Sequence, residues 1–331
     1  MKALVYTGPK QLDYREVPDP VAAEGEVLID LDFSGICGSD LHAVRGHDPR
    51  RPAPMILGHE AAGVAQSGVY IGQRVTINPL VSCGRCAFCS SDRENLCTER
   101  QIISLPPRAG SFAERICMPE ANLVTVPEGV ALWQAALTEP MACGWHAVRL
   151  ALEQVGEPAE QCVAVVLGGG AIGLSAALSL SIRGLSRITV IETNPARRDR
   201  MRKALPQFDF HAGFADTDQI FPDLVVDAVG IAPTRELASA IVRPGGVIAH
   251  IGLGDKEGGL DVRRMTLQEI GFIGTYTYTA QDFLDTAQAI FRGEFGTFDW
   301  VDQRPLSAGH EAVIDLLNGQ VDAGKIVLMT A

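Results

Sequence analysis

The sequence has no long apolar run. None approaches the ~18 uninterrupted apolar residues of a membrane-spanning helix. The opening MKALVYTGPK carries a lysine but neither an apolar centre nor a small-residue cleavage site, so it reads as a first strand and not as a secretory leader. A cytoplasmic protein with no membrane partner is the expectation. Basic charge is also scarce: 28 Lys and Arg face 40 Asp and Glu, a formal charge of −12. That balance repels phosphodiester backbones. The short basic stretch ARRDRMRK, 196–203, is interrupted by Asp199 and reads as a solvated helix face, so nucleic acid is not an expected partner. Core material is ample, with 47% apolar and 21% charged residues. At 331 residues the chain exceeds what one hydrophobic core serves, and two domains are expected.

Cysteine is present and unevenly placed. Four of the eight lie in CGRCAFCSSDRENLC, residues 83–97. In a reducing compartment such clusters bind metal more often than they form disulfides. Cys83, Cys86 and Cys89 recur every three residues and Cys97 follows, a spacing that lets the chain curl four thiolates around one tetrahedral zinc. The spacing differs from the common iron–sulfur patterns. A zinc held by four thiolates has no position left for substrate, so it would be structural. Cys117, Cys143 and Cys162 lie outside every motif and read as packed thiols.

CVAVVLGGGAIGLSAALSLSIRG reads as a buried strand, a glycine turn and a helix. Gly168, Gly170 and Gly173 fit the spacing in which one glycine makes the turn, one admits a pyrophosphate and one lets helix pack on strand. The next strand, RITVIE, ends at Glu192, where an acid would meet the adenosine ribose hydroxyls and repel a 2′-phosphate. NAD is therefore expected over NADP, although Arg197 and Arg198 follow closely and keep NADP in play. Further strand–helix alternation through DLVVDAVG, GGVIAHIGL and EIGFIGTYT implies a doubly wound parallel sheet.

A second set of metal-ligand types is scattered. GICGSDLH supplies Cys37, Ser39, Asp40 and His42; LGHEAAG supplies His59 and Glu60; TEPMACGWHA supplies Glu139 and His146. One thiolate, one imidazole and one carboxylate would make a zinc site with an open fourth position. Spacing alone does not bring them together, and singly each has a structural reading: a packed thiol, a hydrogen-bonded core histidine, a local turn cap.

On these four ordered motifs the chain resembles the zinc-dependent medium-chain alcohol dehydrogenases, especially their polyol (sorbitol-type) branch, over essentially its whole length. The resemblance implies an α/β protein: a GroES-like, partly open β-barrel catalytic domain at 1–145, a Rossmann cofactor domain at 146–288, and a return to the catalytic domain at 289–331. It implies that Cys37 and His59 bind catalytic zinc, that Glu60 is a direct or exchanging third ligand, and that Glu139 meets the metal directly or through its water, the choice between the two glutamates being open. Ser39 would take the proton of the metal-bound alcohol and pass it, through the cofactor ribose, towards His42. The implied reaction moves a hydride between a secondary alcohol, on a polyol or sugar acid, and NAD, in a homodimer or homotetramer. A threonine-type amino-alcohol dehydrogenase, or a sensor that binds NAD and zinc without turnover, are the competing readings. The chain departs from the pattern twice. The hairpin at VYIGQRV is trimmed, and GTYTYTAQDF lacks the arginine-containing polyol contact, which weakens the case for a sugar alcohol without touching zinc or NAD.

Overall fold

The computed structural model describes residues 1–217 and 221–330. Its contacts divide the chain into two units, one formed by Met1–Glu139, Thr279–Gly296 and Val301–Ala331, the other by Pro140–Tyr278 and Thr297–Trp300. These boundaries precede those expected at 145/146 and 288/289. The second shift has a local cause: the helix Ala280–Phe291 packs within the first unit, its Phe291 lying on the cluster of Ala62, Val126, Ala135 and Ala136.

The first unit is organised by one long strand, Glu26–Gly35. Along it Val27, Ile29 and Leu31 alternate into one core with Val75, Ile77, Ile116 and Met118, the period of two that a half-buried strand requires. One edge pairs antiparallel with Glu60–Ala65. The other edge is shared, Arg115–Pro119 taking its first half and Lys325–Met329 its last residues. A register slip between Leu31 and Phe33 bends the strand so that it can serve both. Gly63 sits opposite that bend, where a Cβ would stand 2.0 Å from the Asp30 carbonyl oxygen. The seven-stranded sheet runs Leu123–Thr125, Arg74–Ile77, Glu60–Ala65, Glu26–Gly35, Lys325–Met329, Val301–Pro305, with Arg115–Pro119 off that path. The C-terminal strand is thus an interior strand of the unit that begins the chain. A smaller sheet of Gln11–Glu16, Lys2–Gly8 and Met55–Ile56 packs Leu4, Tyr6 and Leu12 against Leu328 and Val313.

The second unit holds six parallel strands in the order Asp209–His211, Arg187–Ile191, Val163–Leu167, Leu224–Asp227, Val247–His250, Gly271–Gly274. Numbered within the unit this is 3-2-1-4-5-6, the doubly wound dinucleotide-binding order, with its switch point beside Val163–Leu167. The helix Ala171–Ile182 that follows the glycine turn is apolar on all sides, and Gly173 through Leu180 are buried. Among the described residues no helix is long and apolar enough to cross a membrane.

Candidate active site and cofactor cradle

The three glycines of the turn do different work. Gly168 has φ +103°, closed to most side chains. At Gly173 a Cβ would lie 1.8 Å from the Gly168 carbonyl oxygen, so only glycine lets the helix start against the turn. Gly170 caps that helix in extended conformation and has nothing within 4 Å of its would-be Cβ, which leaves an open face at a helix N-terminus. Glu192 is 6% exposed and reaches back to this turn. Its Oε2 accepts from Gly169 N at 3.0 Å and from Arg197 Nη1 at 3.4 Å, and its Oε1 accepts from Asn194 N at 2.7 Å. Arg198 instead donates to the Glu192 carbonyl at 2.8 Å. Turn, helix start and acid together form a cradle suited to a dinucleotide.

In the first unit the sulfurs of Cys83, Cys86, Cys89 and Cys97 lie within 4.8 Å of one another. Cys86 and Cys89 are 3.5 Å apart, Cys83 and Cys89 4.0 Å. A tetrahedral zinc with ~2.3 Å bonds separates its sulfurs by about 3.8 Å, so the cluster fits that ion. None of the four is in a disulfide. The loop turns at Gly84, φ +70°, and is closed at its base by the pairing of Leu80–Val81 with Gln101–Ile102. Backbone amides aim at the sulfurs: that of Cys89 heads the causes that lower Cys86 to about 6, and that of Arg85 lowers Cys83. Cys89, by contrast, is pushed up to about 11 by burial and by the neighbouring Cys86.

The scattered set also converges. Cys37, His59 and Glu60 place one ligand atom each within 4.8 Å of the others. Cys37 is the N-cap of the helix Gly38–Val44, and His59 and Glu60 lie where the chain enters the strand Glu60–Ala65, which pairs at Gly35↔Glu60. Asp40, fully buried, ties the two segments by accepting from Cys37 N at 3.0 Å and Gly58 N at 3.2 Å. His59 Nδ1 lies 3.7 Å from Asp40 Oδ1, which leaves Nε2 as the nitrogen for a metal. Burial opposes the charge on Asp40, yet His59, Arg51 and the Cys37 amide hold its carboxyl below the usual value. Burial likewise opposes protonation of His59, but Asp40 and Cys37 outweigh it and raise its pKa well above the ordinary one. A thiolate-type ligand, an imidazole and a carboxylate gathered in one buried place are a donor set that fits a divalent cation.

Glu60 is fully buried and pairs through Oε1 with the ammonium of Lys325, itself 4% exposed on the C-terminal strand. Its Oε2 has no hydrogen-bond partner. A Cβ on Gly35 would fall 2.0 Å from that oxygen, so glycine keeps the space around it. One carboxylate oxygen is thereby bound and the other is unpaired, and with Cys37 and His59 the carboxylate makes a donor set that fits a divalent ion. Burial pulls the Lys325 pKa down, but Glu60, Cys37 and Glu139 together raise it. Glu139, 6% exposed at the start of the helix Thr138–Val155, lies within electrostatic reach of Lys325 but is not in the Cys37, His59, Glu60 set. The sequence reading missed Lys325. Its signal was a lone cation in the apolar run KIVLM, since a buried charge needs a partner. Ser39 is half-buried in the first turn of the Gly38–Val44 helix, and His42, three residues on and on the same face, is exposed with its ring 5.5 Å from that of His47.

Together the doubly wound unit and the thiolate–imidazole–carboxylate set define a metal-binding, dinucleotide-linked oxidoreductase. Residues 23–128 match the alcohol dehydrogenase GroES-like domain and residues 171–292 the zinc-binding dehydrogenase domain. The chain is 32% identical over 308 residues to L-galactonate-5-dehydrogenase of Escherichia coli, covering 89% of this chain and 88% of that one. It is 30% identical over 302 residues to a sorbitol dehydrogenase of Halalkalibacterium halodurans, covering 86% of each. Acetophenone reductase of Geotrichum candidum, solved in complex with NAD, superposes with a TM-score of 0.87 at 26% identity, over 99% of this chain and 97% of that one. The chain belongs to the zinc-dependent medium-chain alcohol dehydrogenase family, on the side of its polyol dehydrogenases. Zinc and a nicotinamide cofactor come with that membership.

Proposed function

We propose that this dehydrogenase oxidises a secondary alcohol on a polyol or sugar acid to the ketone with NAD, and runs in reverse as a reductase. The observation that carries the reading is the meeting of Cys37, His59 and Glu60 from separate segments, with one Glu60 oxygen unpaired. Cys37, His59 and Glu60 hold the catalytic ion; Cys83, Cys86, Cys89 and Cys97 hold a second, structural one. A zinc held there would supply Lewis acidity to the alcohol oxygen, and a nicotinamide cofactor on the glycine turn would supply the hydride acceptor. Asp40 orients His59. Lys325 neutralises Glu60 and keeps one of its oxygens occupied, while Glu139 adds its charge to the same group. Ser39 receives the alcohol proton, and His42, exposed on the same helix face, passes it to solvent.

NAD is favoured over NADP because Glu192 presents a carboxylate at the ribose position, and because Arg197 already leans on that carboxylate and is not free for a phosphate. A sugar acid or polyol is favoured over an amino alcohol by the similarity to a galactonate and a sorbitol dehydrogenase. A cytoplasmic location and a homo-oligomer are the accompanying readings, the second supported by the edge strand Gly271–Gly274 with Phe272 and the nearby Leu267 exposed.

The test is NADH formation by zinc-replete protein offered polyols, aldonic acids and threonine, with NAD or NADP. Turnover of a polyol or aldonic acid with NAD is expected. Turnover of threonine alone, or tight NAD binding with no reduction on any alcohol, would favour the competing readings.

A further inference from the structure

Arg51 is 6% exposed, and its donors converge on the relay serine. Nη1 donates to the Ser39 carbonyl at 3.1 Å, and Nη2 reaches Ser39 Oγ at 3.5 Å. The rest of the guanidinium is fixed from two other segments: Nε donates to the carbonyl of Ser104 at 2.9 Å, and Nη1 also pairs with Asp48 Oδ2 at 3.0 Å. Asp48 is itself buried and is held from the other side by Arg50. Asp40, the other acid near this helix turn, accepts from the amides of Cys37 and Gly58 and feels Arg51 only through its charge. Burying an arginine is costly unless its donors are used. Here two of the contacts go to the backbone and the hydroxyl of Ser39 and two to Ser104 and Asp48, from a planar fork whose geometry lysine cannot reproduce.

We propose that Arg51 is a positioning residue for Ser39. A serine hydroxyl has two lone pairs and one proton. With one lone pair turned towards Arg51 and the carbonyl pinned, the second lone pair faces the reacting oxygen and the proton is left to be handed on. Arg51 itself touches neither metal ligand nor substrate. Ser104 lies just beyond the base of the four-cysteine loop, so the same guanidinium braces the relay turn against that loop.

The inference rests on the reading of Ser39 as the proton relay, and a double-mutant cycle on the zinc-replete enzyme separates the two. Ser39→Ala should slow kcat by about 10²-fold, the scale of a lost proton-transfer group. Arg51→Lys should slow kcat about tenfold through misplacement, with KM for the alcohol and for NAD within about twofold. The double variant should be no slower than Ser39→Ala, because Arg51 serves the reaction by placing that hydroxyl. Zinc content should be unchanged, and amides of residues 39–42 should exchange faster in Arg51→Lys. Asp48→Asn, which leaves Arg51 in place but removes its directing carboxylate, should show a milder loss with the same non-additivity, and serves if Arg51→Lys does not fold. Equal slowing by Arg51→Lys, or by Asp48→Asn, in the wild-type and Ser39→Ala backgrounds would overturn the proposal. Unimpaired turnover in Ser39→Ala would instead remove the relay reading on which it stands.

Discussion

Cys83, Cys86, Cys89 and Cys97 are supplied by one short loop, whereas Cys37, His59 and Glu60 are gathered from a helix cap and a strand entrance and meet only because the sheet pairs Gly35 with Glu60. The loop offers four identical soft ligands and no vacancy; its neighbours are backbone amides. The gathered set offers three different ligand types, and two of them are managed by other side chains: His59 by Asp40, Glu60 by Lys325. A contiguous site can be closed by its own chain. An open site must be held open by partners elsewhere in the fold.

That contrast is broken or sharpened first by removing one thiolate from each. Cys37→Ser should reduce turnover by about 10³-fold or more, since several kcal/mol of charge stabilisation is lost with the catalytic ion, and should leave NAD affinity nearly unchanged. Cys86→Ser should lower the melting temperature by about 5–10 °C, because metal binding free energy in such loops is folding free energy. Equal loss of fold in both variants would contradict the division of labour. Calorimetry with an activity assay and NADH titration decides it.

Lys325→Met tests the partner of the open site. It leaves Glu60 charged, buried and unpaired, a loss of about 3–5 kcal/mol in metal-free protein. Zinc can replace part of the missing positive charge, so the destabilisation should be smaller in zinc-loaded than in chelator-treated protein. The same loss in both states would show that Glu60 does not face the ion.

The smallest effect is in pH. The folded-state pKa of His59 lies above its unfolded value, so in metal-free protein this group adds stability that is fully present below about pH 6.5 and is lost as pH rises through the raised pKa. Metal needs the neutral ring, so zinc retention at the open site runs the opposite way, weakening by up to about tenfold per unit as pH falls through the same range. Competition titrations with a zinc-sensitive dye, alongside melts of the metal-free protein, should show opposed slopes. Parallel slopes would place the ion elsewhere.

Much of this was legible in the sequence where the signal was local. The glycine turn could be read because each glycine answers a constraint inside one strand–turn–helix unit, and the cysteine loop because its spacing is its geometry. The second site could not be read without the family resemblance, since nothing in Cys37 or His59 alone states that a strand pairing will join them. Lys325 showed in the sequence only as a cation in an apolar run; its partner Glu60 is reached only by the C-terminal strand lying beside Glu26–Gly35. Nothing in HDPRRP states that the fold will bury Arg51 against Ser39. The helix Ala280–Phe291, expected mostly within the cofactor domain, clusters with the first unit because Phe291 packs on Ala62, Val126, Ala135 and Ala136, a contact no local pattern announces.

Zinc X-ray absorption on metal-replete protein tests most directly whether one closed and one open ion coexist in this chain. Two zinc ions per chain, an average of about 2.5 sulfurs per zinc with nitrogen and oxygen completing the shell, and a nitrogen–oxygen shell alone altered by added alcohol are the expected result. A single zinc in an all-sulfur shell that ignores the alcohol would contradict the account.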